Sequence, residues 1–221
     1  MKKLLDNFLY IALRRNLSVA LFITWHEIRR GSKYNINTIE TADLDDLTIV
    51  EGDKTKSSRY EALNYYILET LLGTFCKLFP HEKNIVDVGS GKGRVMIVAA
   101  HYGFKNITGI DFAKELCDSA NQNIRNMQGQ FPHTTFTIHC SDILNYNINA
   151  SDKVYFLFNP FNKEIMEKFL EKIDASVSGS PRTIYFMYAN PLYKNLFLEK
   201  GYREIFSVKK LGLLEGIILV R

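Results

Sequence analysis

Cysteine is scarce in this 221-residue chain, and what there is forms no pattern. Cys76, Cys117 and Cys140 stand apart, with no C-x-x-C pair and no His/Cys cluster at metal-ligand spacing. That argues against a structural zinc and for a reducing compartment, so no metal and a cytoplasmic setting are the expectation. The five histidines are dispersed as well. No phosphate loop of the form G-x-x-x-x-G-K-[ST] occurs, nor any low-complexity tract or repeat at a fixed period. Long apolar runs are missing too. In the N-terminal arm the longest uncharged stretch, Asn16 to Trp25, falls far short of the ~20 residues that cross a bilayer. The opening Met-Lys-Lys-Leu-Leu has the look of a secretory signal, but Arg14 and Arg15 interrupt the apolar run and no small-x-small cleavage site follows.

Basic excess is missing from most of the chain. The formal charge is +4, yet residues 1–33 alone carry seven basic and two acidic residues, a net of +5, which leaves −1 for the rest. A domain that grips a long nucleic acid usually shows a basic face of its own, so the sequence carries no strong nucleic-acid signature. What is present is globular: 46% hydrophobic and 24% charged residues, enough for one domain plus an extension.

The most informative stretch is Asn-Ile-Val-Asp-Val-Gly-Ser-Gly-Lys-Gly-Arg, residues 84–94. Ile85, Val86 and Val88 suit a short buried strand, Gly89, Gly91 and Gly93 follow at once, and Val95 to Ala100 reads as a helix ending at Gly103. In such a strand–turn–helix unit, backbone N–H groups and the positive end of the helix face a ligand, and glycine lets that ligand touch the backbone. A dinucleotide fingerprint needs G-x-G-x-x-G; here Arg94 stands where its third glycine should be, and the acidic Asp87 precedes the first glycine by two positions.

Ahead of this unit, residues 1–30 are helical in pattern, with Leu5, Phe8, Leu9, Ala12, Leu13, Leu17, Leu21, Phe22, Trp25 and Ile28 at three- and four-residue steps. Two readings stay open: helices packed on the domain and covering its site, or a basic amphipathic segment that meets a membrane surface or a protein partner. Residues 34–53 gather Glu40, Asp43, Asp45, Asp46, Glu51 and Asp53, an irregular acidic connection. Ser58-Arg59-Tyr60-Glu61 reads as a capping box opening a helix that Pro80 ends.

Behind it, residues 106–110 form a strand ending in Asp111, 22 positions after Gly89, with Phe112 beside it. A helix over 113–127 leads to a strand at 134–139 that runs into Cys140-Ser141-Asp142-Ile143. The nearly continuous apolar strand 153–158 ends Asn159-Pro160-Phe161-Asn162. A helix at 163–175, a strand at 181–188, a helix opened by Asn190-Pro191 and a hairpin of 202–208 with 213–220 complete the chain.

Val-Asp-Val-Gly-Ser-Gly-Lys-Gly-Arg-Val, Gly-Ile-Asp-Phe, Ser-Asp-Ile and Leu-Phe-Asn-Pro-Phe together resemble the small bacterial class I S-adenosylmethionine-dependent methyltransferases. The resemblance covers residues 57–221, the expected catalytic domain, and leaves residues 1–56 as a helical arm and acidic linker. It implies a Rossmann-like α/β fold: a seven-stranded, mostly parallel sheet with the last strand antiparallel and helices on both faces.

It also implies roles. Gly89, Ser90, Gly91 and Gly93, with Asp87 behind them, would wrap the methionine part of S-adenosylmethionine. Asp111 would accept hydrogen bonds from the ribose hydroxyls, and Phe112 would lie on the adenine. Asp142 and the Ile143 N–H would read the adenine edge, although Asp142 suits a helix cap equally. Tyr60, and with it Tyr65, would close over the cofactor or else pack the helix on the sheet. Asn159-Pro160-Phe161 resembles the (Asn/Asp)-Pro-Pro-(Phe/Tyr) motif of amine methyltransferases, in which the side-chain oxygen and a proline carbonyl accept amine N–H bonds and the ring stacks on the substrate. One proline is missing here, so Asn159 suits cofactor contact or loop support as well. No histidine or lysine stands out as a general base; His139 is only near a strand end. The acceptor, whether protein side chain, nucleobase or small metabolite, is not named by the sequence. Competing readings are a nicotinamide oxidoreductase and a non-catalytic cofactor-binding domain docked on a membrane or protein through its basic arm.

Overall fold

Residues whose side chains are apolar on both sides of the backbone can only be central strands. Val154–Leu157 (β4) and Tyr185–Ala189 (β5) are buried at every position, and they form the middle of a seven-stranded sheet. The computed structural model describes residues 2–36, 38, 48–50 and 61–221. Within it the sheet is built from Asn84–Val88 (β1), Asn106–Asp111 (β2), Thr135–Cys140 (β3), β4, β5, Arg203–Lys210 (β6) and Leu214–Val220 (β7), in the order β3-β2-β1-β4-β5-β7-β6. β1 to β5 pair in parallel, and β7 runs antiparallel to both β5 and β6. This is the sheet that the resemblance implied.

Strand alternation divides the core in two. Ile85, Val154, Phe156, Tyr185, Met187 and Ile218 point to one face, where they meet Tyr65–Leu78 (α3), Arg94–His101 (α4) and the end of Lys114–Met127 (α5). Val86, Val88, Tyr155, Leu157, Phe186 and Ile217 point to the other, against Lys163–Gly179 (α6) and Lys194–Glu199 (α7). Gly216 lets α3 approach: a Cβ there would stand 3.0 Å from Ile67 and Leu71. The outer strand β6 is mostly exposed and carries Arg203, Glu204, Lys209 and Lys210, charges that discourage pairing with a further strand.

The expected capping box is corrected. Glu61 is not helical; α3 begins four residues later at Tyr65, where the Asn64 side chain accepts from the Ile67 N–H at 3.0 Å. The physical reason is Arg94, whose guanidinium donates to the Leu63 carbonyl at 2.8 Å, while the extended Asn64 caps the helix after it. Ser58, Arg59 and Tyr60 lie outside the described residues, as do the boundary at residue 56 and most of the acidic connection. The described part of that connection is not loose: Ile49 bridges Ala113, and the Val50 N–H donates to the Phe112 carbonyl at 3.0 Å.

The arm forms two helices, Lys2–Arg14 (α1) and Leu17–Tyr34 (α2), folded back on each other and packed on the domain. Ile11, Val19, Ala20 and Ile23 join the core on the α3 side. Tyr34 stacks on Tyr65 with ring centroids 5.3 Å apart, and its hydroxyl donates to Glu69 at 2.6 Å. Tyr65 is thereby a packing residue, not a cofactor lid.

The strongest tie is Arg94, 4% exposed, whose Nη1 and Nη2 donate to the two oxygens of Glu27 at 2.5 and 3.0 Å. Its Nε donates to Thr38 at 2.7 Å, and its guanidinium lies 4.3 Å from the Tyr65 ring centre. Removing one member of such a pair strands the other's charge in the interior. Glu27→Ala is therefore expected to cost about 3–5 kcal/mol in urea unfolding, while the double replacement Glu27→Met with Arg94→Met recovers most of it.

Candidate active site

The chain runs outward from β1 through β2 to β3 and returns to β4 on the other side of β1. That reversal opens a crevice beyond the carboxyl ends of the strands, where ligands of open α/β sheets bind. A cleft of about 350 Å³ lies there, lined by Asp87, Gly89 and Ser90 at the end of β1, Asp111 and Phe112 at the end of β2, and Asn159 and Pro160 after β4. A smaller recess of about 50 Å³ shares Gly89, Asp111, Phe112 and Pro160 with it and adds Asp142, Ile143, Phe161 and Ile165. Most of the residues singled out in the sequence therefore border two adjoining hollows.

The glycine turn is built for close approach. Gly89, Gly91 and Gly93 all have positive φ, at 76°, 52° and 80°. A Cβ on Gly89 would stand 2.6 Å from the Pro160 ring, so only glycine lets the β1 turn and the β4 turn meet. The turn's N–H groups are a correction. Gly89 and Ser90 donate to the Ile110 carbonyl, Gly91 to Asp111 Oδ2 at 2.8 Å, and Gly93 to the Ser90 carbonyl. These donors are spent inside the protein, so the turn is a shaped wall and not an anion cradle. Gly93 starts α4 facing Ala120, away from the cleft.

Asp111 receives the Gly91 N–H on one carboxylate oxygen and the Ala113 N–H, at 3.0 Å, on the other. Burial pushes its pKa up, and the backbone donors at Ala113, Gly91 and Phe112 pull it part of the way back. Asp87 is pushed well above the usual carboxylate range, first by burial and then by the Asp111 charge. Asp87 Oδ2 and Ser90 Oγ are buried with no hydrogen-bond partner. Two unsatisfied polar atoms beside a close-approach turn are what a bound polar ligand would complete.

Asp142 accepts from the Leu144 N–H at 2.8 Å, so it supports its own turn while bordering the recess. Asn159 is buried, sits at φ 43° in the left-handed region, and accepts the Tyr188 hydroxyl on Oδ1 at 2.9 Å. Phe161 departs from expectation: it is buried edge-on to Phe169 and borders the Asp142 recess, since the α6 cap at Asn162 turns it under the sheet end. His139 is exposed on the edge strand β3 against Tyr146 and lines neither hollow.

Several residues went unread in the sequence. Tyr188 anchors Asn159, and Asn190 and Leu192 line the far wall of the cleft. A signal was present: Asn-Pro follows both β4 and β5, and both asparagines are left-handed, Asn190 at φ 50°. Tyr10, Arg14 and Arg15 bring α1 to the rim, with Arg15 paired to Glu61 at 3.4 Å.

Residues 85–178 match the family model of a methyltransferase domain. Residues 85–178 thus form a methyltransferase domain. S-adenosylmethionine, the cofactor that the sequence resemblance implied, is a zwitterion, and the unsatisfied Asp87 and Ser90 atoms at a glycine wall fit a ligand of that kind. No curated protein matches the chain in sequence. Similar folds among solved structures include a candidate RNA methyltransferase from Pyrococcus horikoshii, 20% identical with TM-score 0.55 over 80% of this chain and 93% of that one. Magnesium protoporphyrin IX methyltransferase from Synechocystis, solved with bound SAM, is 13% identical with TM-score 0.52 over 70% and 77% of the two chains. The 1,6-didemethyltoxoflavin-N1-methyltransferase of Burkholderia thailandensis is 10% identical with TM-score 0.52 over 70% and 76%.

The raised Asp87 pKa has a measurable sign. A carboxyl whose folded pKa exceeds its unfolded one stabilises the fold at low pH and loses that contribution as pH rises through the folded value. The ligand-free methyltransferase with Asp87→Asn is therefore expected to melt above wild type at neutral pH. The gap should close as the pH falls to the ordinary carboxylate range, in thermal melts across pH.

Proposed function

We propose that this methyltransferase transfers its methyl group to the nitrogen of an amine, with Asn159 as the residue that aligns the acceptor. The observation that carries the reading is the state of Asn159: buried, left-handed, at the end of β4, with Oδ1 fixed by Tyr188. Burial pushes the Tyr188 hydroxyl pKa up, so it stays a neutral donor and keeps the amide oriented. An amide oxygen held this way has a second lone pair for an acceptor N–H, and alignment of that kind supplies much of the rate in a displacement. The acceptor nitrogen must arrive neutral, and its surplus proton leaves to solvent after transfer.

The cofactor supplies a methyl carbon activated by a sulfonium. Around it, Asp111 keeps unused lone pairs on both oxygens for ribose hydroxyls, while Phe112, Asp142 and Ile143 border a recess suited to an adenine ring. Gly89 and Ser90 would wall the methionine part, with Gly91 tied behind them to Asp111, and Asp87 and Ser90 would offer acceptors to its ammonium. Two buried carboxyls favour a cationic ligand over its neutral product. They therefore serve affinity, while positioning serves rate. The similar structures act, by their names, on RNA, a porphyrin and a toxoflavin precursor, so the fold does not choose the acceptor.

Calorimetric titration with S-adenosylhomocysteine tests the cofactor part. Wild type is expected to bind at about micromolar Kd, and Asp111→Ala, checked for folding by its melt, about 100-fold more weakly. Asn159→Ala is expected to keep that binding and to lose about 100-fold in labelled-methyl transfer to amine fractions of a cell extract. Folded wild type that binds no S-adenosylhomocysteine would overturn the site, and transfer untouched in Asn159→Ala would overturn the acceptor role.

A further inference from the structure

We propose that the outer face of the α1–α2 hairpin docks on the surface of an anionic lipid bilayer. Leu5, Leu9 and Leu13 on α1 and Leu17, Leu21, Trp25 and Ile28 on α2 are exposed, Leu13 at 87%. They recur at three- and four-residue steps, and they lie opposite Ile11, Val19 and Ile23, which pack on the domain. These seven are half of the exposed large apolar residues among the described ones, gathered on two helices instead of scattered. A helix that is apolar on both sides calls for cover on both sides, and among the described residues the packing covers only the inner one.

Charge selects the cover. Residues 1–33 carry a net charge of +5, and of their two acids Glu27 is buried against Arg94, leaving Asp6 as the exposed one. Arg14 and Arg29 flank the apolar row and are exposed, one over the Tyr10 ring at 4.9 Å and the other over Trp25 at 5.1 Å. Indole and guanidinium beside a leucine row is the arrangement of side chains that sit at a headgroup layer, with the apolar bodies below and the cations above. A second copy of the chain is the poorer occupant. A two-fold interface sets the same patch against itself and would oppose two arms of net +5.

Anionic headgroups take both the leucines and the arginines. Neither helix is long and apolar enough to cross the membrane, so the hairpin lies in its surface. Because Tyr10, Arg14 and Arg15 also rim the cleft, docking carries the mouth of the site to the headgroups.

Trp25 is the single tryptophan, so fluorescence excited beyond the absorption of the 12 tyrosines reads this face alone. The full chain is mixed with phosphatidylcholine vesicles with and without phosphatidylglycerol, and binding is followed by co-sedimentation. Expected are binding that needs phosphatidylglycerol and weakens with salt, a blue shift of Trp25, and its quenching by brominated acyl chains. Leu9→Ser and Leu21→Ser, exposed positions that do not line the cleft, should each weaken partitioning about tenfold while leaving S-adenosylhomocysteine binding unchanged. That second readout separates the fate of the docking face from that of the methyltransferase site. The proposal is overturned if folded protein ignores phosphatidylglycerol vesicles, if Trp25 emission stays put on binding, or if sedimentation finds a dimer that both leucine substitutions dissolve and that binds no vesicle.

Discussion

Arg94 is the side chain on which the rest of the structure hangs. It occupies the first position of α4, where the positive end of the helix repels a cation. Alone it would weaken the glycine turn. Paired bidentately with Glu27 it does the reverse, since the carboxylate answers both the guanidinium and the helix end. Through Thr38, Leu63 and Tyr65 the same guanidinium also sets where α3 begins and how residues 61–63 pass the cleft. One side chain thus joins arm, connection, α3 and glycine turn.

That anchoring explains how the turn can do without ligand anions. A run of glycines ahead of a helix has N–H groups that must find acceptors. Here those of Gly89, Ser90, Gly91 and Gly93 find Ile110, Asp111 and Ser90 before anything binds. What it leaves open is contact surface at Gly89 and the unsatisfied oxygens of Asp87 and Ser90. A phosphate would want the donors that are already used. An ammonium wants the acceptors that are left.

Local chemistry was legible in the sequence and remote chemistry was not. The strands were readable because burial on both faces writes itself as continuous apolar residues, as in β4 and β5. The glycine turn and Asp111 were readable because their spacing is short and their residue types are hard to replace. Glu27 pairs with a residue 67 positions away, and Tyr188 with one 29 positions away, and no periodicity encodes such partners. Glu61 misled for the same reason: its place in a local cap motif gave no hint that Arg94 would hold Leu63, and that α3 would start only at Tyr65. Phe161 was identified correctly as an aromatic at a strand end, but the direction of its ring follows from Asn162 capping α6 just beyond it.

The arm lies outside residues 85–178, the part that matches the methyltransferase domain, yet energetically it belongs to the site. α2 supplies the counter-charge to Arg94 immediately behind the glycine turn, and α1 supplies Tyr10, Arg14 and Arg15 to the rim. Lifting the arm would strand a buried guanidinium at the head of α4, whose first turn continues directly from Gly93. The free energy that holds the arm down is therefore the free energy that holds the turn in shape. The arm cannot lift from Arg94 without leaving a buried charge unpaired, because both members of the pair are buried and neither has water to replace its partner.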